Sequence, residues 1–234
     1  MIELKNVIKR YASLAAVDDV SFSVNAGEYF ALLGPNGAGK TTIVKMLLDF
    51  TRPSAGSLAI DGIASTHAEC RTAIGYLPEN HHIPAYLTGW QYLSRCAELL
   101  DLNRSDSLDQ CRRIVEQIGM QGREHTKAGT YSKGMIQRFG LGAALLGAPK
   151  LLILDEPTSG LDPIGIRETR QLLESLKDQG MTIFLNSHLL SEVEKICDSA
   201  AIINRGKLLV KDAISVIVRE GETLEDVFVR LVKG

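Results

Sequence analysis

Residues 34–41, Gly-Pro-Asn-Gly-Ala-Gly-Lys-Thr, fit the pattern G-x-x-x-x-G-K-[ST] in full. They stand between a short apolar run, Tyr29–Leu33, and a segment with helical spacing. The chemistry such a stretch offers is polyphosphate binding. Its glycines let successive N–H groups turn inward as an anion nest, and a following helix directs its positive end at the phosphates. Lys40 adds a mobile charge for the β- and γ-phosphates, and the Thr41 hydroxyl can ligate Mg2+. A second chemical stretch, Leu-Leu-Ile-Leu-Asp-Glu-Pro at 151–157, carries an apolar strand through a core and delivers two acids to its carboxyl end. Beside a phosphate loop, Asp155 suits the hydration shell of Mg2+ and Glu156 suits a general base that polarises water. His188 ends a similar apolar strand, Met181–His188. A third stretch, Tyr76–Pro84, places Glu79 close to His81 and His82, which reads as a metal site, an acid–base cluster or an ordinary loop.

The elements that must hold these residues follow from hydrophobic spacing. Val20, Phe22 and Val24 alternate with polar residues as a half-buried strand does, and Asn25-Ala26-Gly27 makes a turn. After the phosphate loop, Ile43, Met46, Leu47 and Phe50 share one helical face. From about 86 to 129 the texture becomes helical, with Trp90, Leu93, Ala97 and Leu100 on one stripe and Leu108, Cys111, Val115 and Ile118 on another. Near the end, Thr223 and Asp226 have capping-box spacing before an apolar face of Leu224, Val227, Phe228 and Leu231. Strands, then helices, then alternating strands and helices predict an α/β core with a helical insertion.

Composition narrows the function. A chain of 234 residues suits one domain, and a net charge of −2 gives no basic face for nucleic acid. No apolar stretch is long enough to span a bilayer, and no signal-peptide core is seen at the start, so a soluble protein is expected. Cys70, Cys96, Cys111 and Cys197 are widely spaced, which predicts reduced, mostly buried thiols. No N-K-x-D guanine-reading motif occurs, which counts against a GTPase.

Tyr-Ser-Lys-Gly-Met-Ile-Gln-Arg at 131–138 and Thr-Ser-Gly-Leu-Asp-Pro at 158–163 complete an ordered set of motifs. With them the chain resembles the ATP-binding subunit of an ABC transporter over nearly its whole length. The resemblance implies a P-loop NTPase fold: a RecA-like, mostly parallel sheet with helices, an N-terminal antiparallel β subdomain and an inserted α-helical subdomain. It implies one domain, with the catalytic core at 1–84 and 150–234 and the helical subdomain, carrying the signature motif, at 85–149. Tyr11 stands where the family stacks an aromatic ring on adenine. Gly34, Pro35, Asn36, Gly37, Ala38, Gly39, Lys40, Thr41 and Thr42 match the phosphate loop. Ser132, Lys133 and Gly134 match the signature, Ser159 to Asp162 the D-loop, and His188 the switch histidine.

Glu79 falls where the family carries its Q-loop residue, usually glutamine, so the metal-cluster reading of 76–84 is set aside. Thr41, Glu79 and Asp155 are then the expected Mg2+ contacts, with Lys40, Glu156 and His188 catalytic toward ATP. His81 and His82 read as hinge-surface residues, and Ile83, Tyr86, Leu87 and Trp90 as either insertion core or a contact for a membrane partner. Two family departures stand out: Lys133 where a glycine is usual, and Met135 where a glutamine is usual. The implied partners are a second cassette, as a homodimer, and multi-span permease subunits, with no nucleic acid. The implied place is the cytoplasm, peripheral on the membrane's cytoplasmic face. Motif details and the 220–234 ending resemble export-type subunits. The competing readings are an ABC-type ATPase of DNA repair or translation and a P-loop module that binds without hydrolysing.

Overall fold

Alternation of apolar and polar residues in the first sixty positions produces paired strands, as a half-buried sheet requires. The computed structural model describes residues 1–100 and 104–233; the part of the predicted helical block at 101–103 lies outside the described residues. In chain order the strands are β1 (Ile2–Tyr11), β2 (Leu14–Val24), β3 (Tyr29–Leu33), β4 (Ala55–Ile60), β5 (Ile63–Ala64), β6 (Ile74–Leu77), β7 (Leu151–Asp155), β8 (Thr182–Asn186), β9 (Ser199–Asn204) and β10 (Lys207–Ala213). The helices are α1 (Lys40–Leu47), α2 (Gly89–Leu99), α3 (Arg104–Gln117), α4 (Lys133–Leu145), α5 (Pro163–Lys177), α6 (Leu190–Ile196), α7 (Ile214–Ile217) and α8 (Leu224–Lys233). They fall into two units, Met1–Thr72 with Gln179–Gly234, and Ala73–Asp178.

In the first unit, β2, β1, β4 and β5 form an antiparallel sheet in that order, matching the expected N-terminal β subdomain. β3 is buried at every residue and lies between β8 and β9, parallel to both, while β10 returns antiparallel along β9. Phe30 bridges the apolar layers, with Phe22 at 5.2 Å and Phe184 at 5.3 Å between ring centroids. Ile43, Met46 and Leu47 are buried as the helical face predicts, but Phe50 is 68% exposed. The reason is local: α1 stops at Leu47, and the Phe50 amide turns back to the Lys45 carbonyl at 2.8 Å, off the helical phase. At the far end, the Thr223 amide donates to Asp226 Oδ2 at 2.9 Å and the Asp226 amide to Thr223 Oγ1 at 3.2 Å, so the expected capping box forms.

In the second unit, β6 and β7 run parallel, with Leu77 paired to Leu154. Gly75 lets β6 approach α4, because a Cβ there would meet the Ala144 carbonyl oxygen at 1.9 Å. Cys111 and Val115 are buried along α3 and Ile118 just beyond its end, and Leu108 is half-buried. Thr88 and Gln91 form a reciprocal capping box that starts α2. Ile83 and Leu87 are core residues at 8% and 5% exposure, which removes them as partner contacts and leaves Tyr86 exposed. His81 corrects the expectation of a surface residue. Its ring is half-buried, 5.5 Å from that of Tyr92 and packed on Gly140, while His82 is exposed. Burial first, and then the neighbouring His82, lower the His81 pKa, so it is neutral at pH 7. Cys70, Cys111 and Cys197 are buried, Cys96 is half-buried, and all four are free thiols.

Candidate nucleotide site

In the first unit, β3 ends at Leu33 and the chain turns immediately into the glycine-rich loop. Gly34 has no room for a side chain, since a Cβ would lie 2.3 Å from the Ile203 carbonyl oxygen. Lys40, 8% exposed, sits at the first position of α1, and its Nζ donates to the Gly34 carbonyl at 2.6 Å and the Pro35 carbonyl at 3.3 Å. These bonds hold the ammonium inside the curve of the loop, where a phosphate would meet both it and the loop amides. Thr41 is exposed on the first turn. A cavity of about 600 Å3 opens beside the loop, lined by Asn36 to Thr42 together with Tyr11, Leu14 and Arg205. Tyr11 is 47% exposed, so a ring face is available to a base, and the Lys9 ammonium lies 4.9 Å from its centroid. Pro35 is half-buried at the loop's entry.

Strand register brings His188 to the same end. Leu32 of β3 pairs with Asn186 of the parallel β8, so Gly34 and His188 each stand two residues beyond a paired couple. His188 is exposed there, just before α6.

The second unit repeats the device with carboxylates. Leu77 of β6 pairs with Leu154 of β7, so Glu79 and Glu156 also stand two residues beyond a paired couple. Asp155 and Glu156 are 6% and 8% exposed, while Glu79 is exposed. Glu156 adopts φ +53, a left-handed backbone that costs an ordinary L residue energy and recurs at functional sites. The charge of Asp155 is felt by Tyr76, whose hydroxyl pKa is raised by burial and, next, by that carboxylate.

Ser132 caps α4, its Oγ accepting from the Met135 amide at 3.3 Å, so Lys133 and Gly134 form the first turn. Tyr131 fixes the approach to this turn, stacked on Phe139 at 5.2 Å with its hydroxyl accepting from the Gly89 amide at 3.1 Å. Asp162 caps α5 in the same manner, with Oδ1 accepting from the Gly165 amide at 2.7 Å. Both caps line a cavity of about 420 Å3, which also takes in Lys133, Gly134, Gly160 and Leu161. Lys133 lies over Gly160, which has φ +65: a Cβ at Gly160 would meet the Lys133 Nζ at 2.2 Å. Met135 lines the same cavity.

Asp155 and Glu79 in the second unit offer carboxylates and Thr41 in the first a hydroxyl, each a hard oxygen donor of the kind Mg2+ takes beside phosphate oxygens and retained waters.

Arg205, which no motif marks, lines the cavity beside the phosphate loop. It lies on a turn between two strands that carry no phosphate motif, and its signal was a Gly-containing reverse turn, Asn204-Arg205-Gly206-Lys207, whose place in space no local pattern gives.

Fold and site together define an α/β protein built to bind a nucleoside polyphosphate. The profile of the ABC transporter family matches residues 17–159. The chain is similar to YhcH, an uncharacterized ABC transporter ATP-binding protein of Bacillus subtilis (strain 168), with 43% identity over 89% of this chain and 68% of that protein. It is 35% identical to SrtF, a lantibiotic transport ATP-binding protein of Streptococcus pyogenes, over 97% of this chain and 96% of SrtF. A solved structure of the ATP-binding subunit of an ABC transporter superposes with a TM-score of 0.88 at 30% identity, covering 99% of each chain. The chain therefore belongs to the ABC transporter family, as one of its ATP-binding ATPase subunits. It spans only 61% and 59% of the lengths of two relatives, from Nostoc and Synechocystis. No helix among the described residues is long and apolar enough to cross a membrane.

Proposed function

We propose that the protein binds ATP with Mg2+, pairs head to tail with a second copy, and hydrolyses ATP to drive export through separate multi-span transmembrane subunits. Each ATP is held by one copy's phosphate loop, with Tyr11 on the adenine, and by the other copy's Ser132–Gly134 segment. Amides at the start of α4 suit that role, because a helix N-terminus attracts the γ-phosphate. Lys133 adds a positive charge to the same turn. Lys40 and His188 stabilise charge on the transferring phosphoryl group, and Glu156 takes a proton from the attacking water. Asp162 fixes the D-loop, which links the two sites. Mg2+, when bound, neutralises charge on the phosphate oxygens, and Thr41, Asp155 and Glu79 are the residues that would hold it.

Register is the observation that carries this reading: β3 with β8 sends Gly34 and His188 to one strand end, and β6 with β7 sends Glu79 and Glu156 to another. The similarity to SrtF, a lantibiotic transport ATP-binding protein, supports the transport role, with helices α2 to α4 as the inserted part at 85–149. Light scattering tests the pairing. A Glu156→Gln protein should double its mass with saturating ATP and stay monomeric with ADP; a monomer under both would overturn it.

Glu79 yields a sharper test. A carboxylate accepts hydrogen bonds only and carries full charge, so it draws Mg2+ more strongly than an amide does. A unit negative charge about 4 Å from a divalent cation in water interacts with it by about 2 kcal/mol, which corresponds to about thirtyfold in affinity. Glu79→Gln is expected to raise the Mg2+ concentration for half-maximal turnover by about that factor, with ATP affinity unchanged. Superimposable Mg2+ titrations of the two proteins would rule it out.

A further inference from the structure

Tyr11 and the phosphate loop account for two ends of a nucleotide, its base and its terminal phosphates. A third wall of the same cavity comes from the turn between β9 and β10. Asn204 and Lys207 pair across this turn, and Arg205 and Gly206 have φ +49 and +79. Two consecutive left-handed residues define the hairpin geometry for which Asn-Gly is the favoured pair. Arginine at the first position is therefore a poor choice for the turn itself.

The turn is also fixed in place. The Gly206 amide donates to the Ala38 carbonyl of the phosphate loop at 2.9 Å, and the Gly206 carbonyl accepts from the Asp18 amide of β2 at 2.8 Å. A Cβ at Gly206 would meet the carbonyl oxygens of Ala15 and Ala16 at 3.1 Å, so the turn sits tightly on β2. Clamped between loop and strand, it presents Arg205 to the cavity. The Arg205 side chain is exposed and forms no ion pair among the described residues, although Lys207, two residues on, reaches Asp18 at 3.5 Å. An unpaired guanidinium in a costly backbone conformation, aimed at a polyphosphate cavity, is better explained by a ligand than by the turn.

We propose that Arg205 is a nucleotide-binding residue of this cavity, contacting the ribose–α-phosphate stretch between the adenine on Tyr11 and the phosphates on the loop. The inference rests on the reading that the cavity takes ATP. It goes beyond that reading by adding a cation that discriminates phosphorylated adenosine from adenosine itself. A planar fork of donors suits this position because it can meet a phosphate oxygen and a sugar hydroxyl together.

Arg205→Asn in the full chain tests it, because asparagine improves the turn while removing the charge. Thermal unfolding without nucleotide should occur at the same or a higher temperature. Calorimetric titration should show Kd for ATP and for ADP raised about tenfold, the scale of one charge-assisted contact, with adenosine affinity, read by competition, lowered by less because only the sugar contact is lost. Arg205→Lys should fall between the two proteins. Equal ATP affinity in Arg205→Asn and the unaltered chain would overturn the role of Arg205 alone, and a parallel loss of stability and affinity would assign it to the fold instead. Failure of the unaltered chain to bind ATP would overturn the reading of the cavity, and Arg205 with it.

Discussion

Glu156→Gln is expected to lower ATP turnover by about 10²–10⁴-fold, the usual contribution of a positioned general base, with ATP affinity within a factor of about two of the unaltered protein. The two side chains have the same shape, and glutamine pays the same backbone cost at φ +53, so the end of β7 should keep its form. What changes is the capacity to take a proton. Glu156 is 8% exposed at the close of an entirely buried strand, so bulk water is poorly placed to substitute for it. Single-turnover phosphate release, measured beside equilibrium ATP binding, separates the two effects. Turnover reduced less than about tenfold would remove Glu156 from the base role and turn attention to water positioned by other groups.

Residues whose role is fixed by chain-local geometry were the legible ones. The octet at 34–41, the apolar strands that end at Asp155 and before His188, and the cap at Thr223 all depend on spacing within a few residues. A buried parallel strand also fixes where its carboxyl end lies, which is why Glu156 and His188 could be read as strand-end groups before their registers were known. Features that depend on packing were not legible. Ile83 and Leu87 have the same composition as an exposed apolar patch, and only the chain's turn at Pro84, where the Leu87 amide meets the Pro84 carbonyl at 2.9 Å, sends them inward. Phe50 fits the helical period, but the helix ends before reaching it. His81 is drawn in by a vacancy at Gly140 on α4, a relation between residues far apart in sequence. Arg205 is the strongest case, since its place in the cavity comes from two backbone hydrogen bonds of Gly206 that no periodicity encodes.

Gly39→Ala should weaken ATP binding by about 100-fold or more, while Gly37→Ala, two residues earlier, should cost only about tenfold. Both glycines have positive φ, +109 at Gly39 and +80 at Gly37, so alanine is strained at each, at about 1–3 kcal/mol. Space separates them. Nothing lies within 4 Å of a Cβ at Gly37, whereas at Gly39 it would meet the Ala16 carbonyl oxygen at 2.4 Å. That oxygen belongs to β2, a strand paired with β1, so it cannot retreat cheaply and the loop must move instead. Movement at Gly39 displaces the start of α1, where the Ile43 amide meets the Gly39 carbonyl at 3.0 Å, and with it the first-turn amides and Lys40. An anion nest depends on its N–H groups converging, so a shift of this kind costs several hydrogen bonds to phosphate at once. Calorimetric ATP titration of the two variants, paired with thermal unfolding, checks the ordering. Equal losses would mean that backbone strain alone governs the loop, and an unaffected Gly39→Ala would show that β2 yields to it.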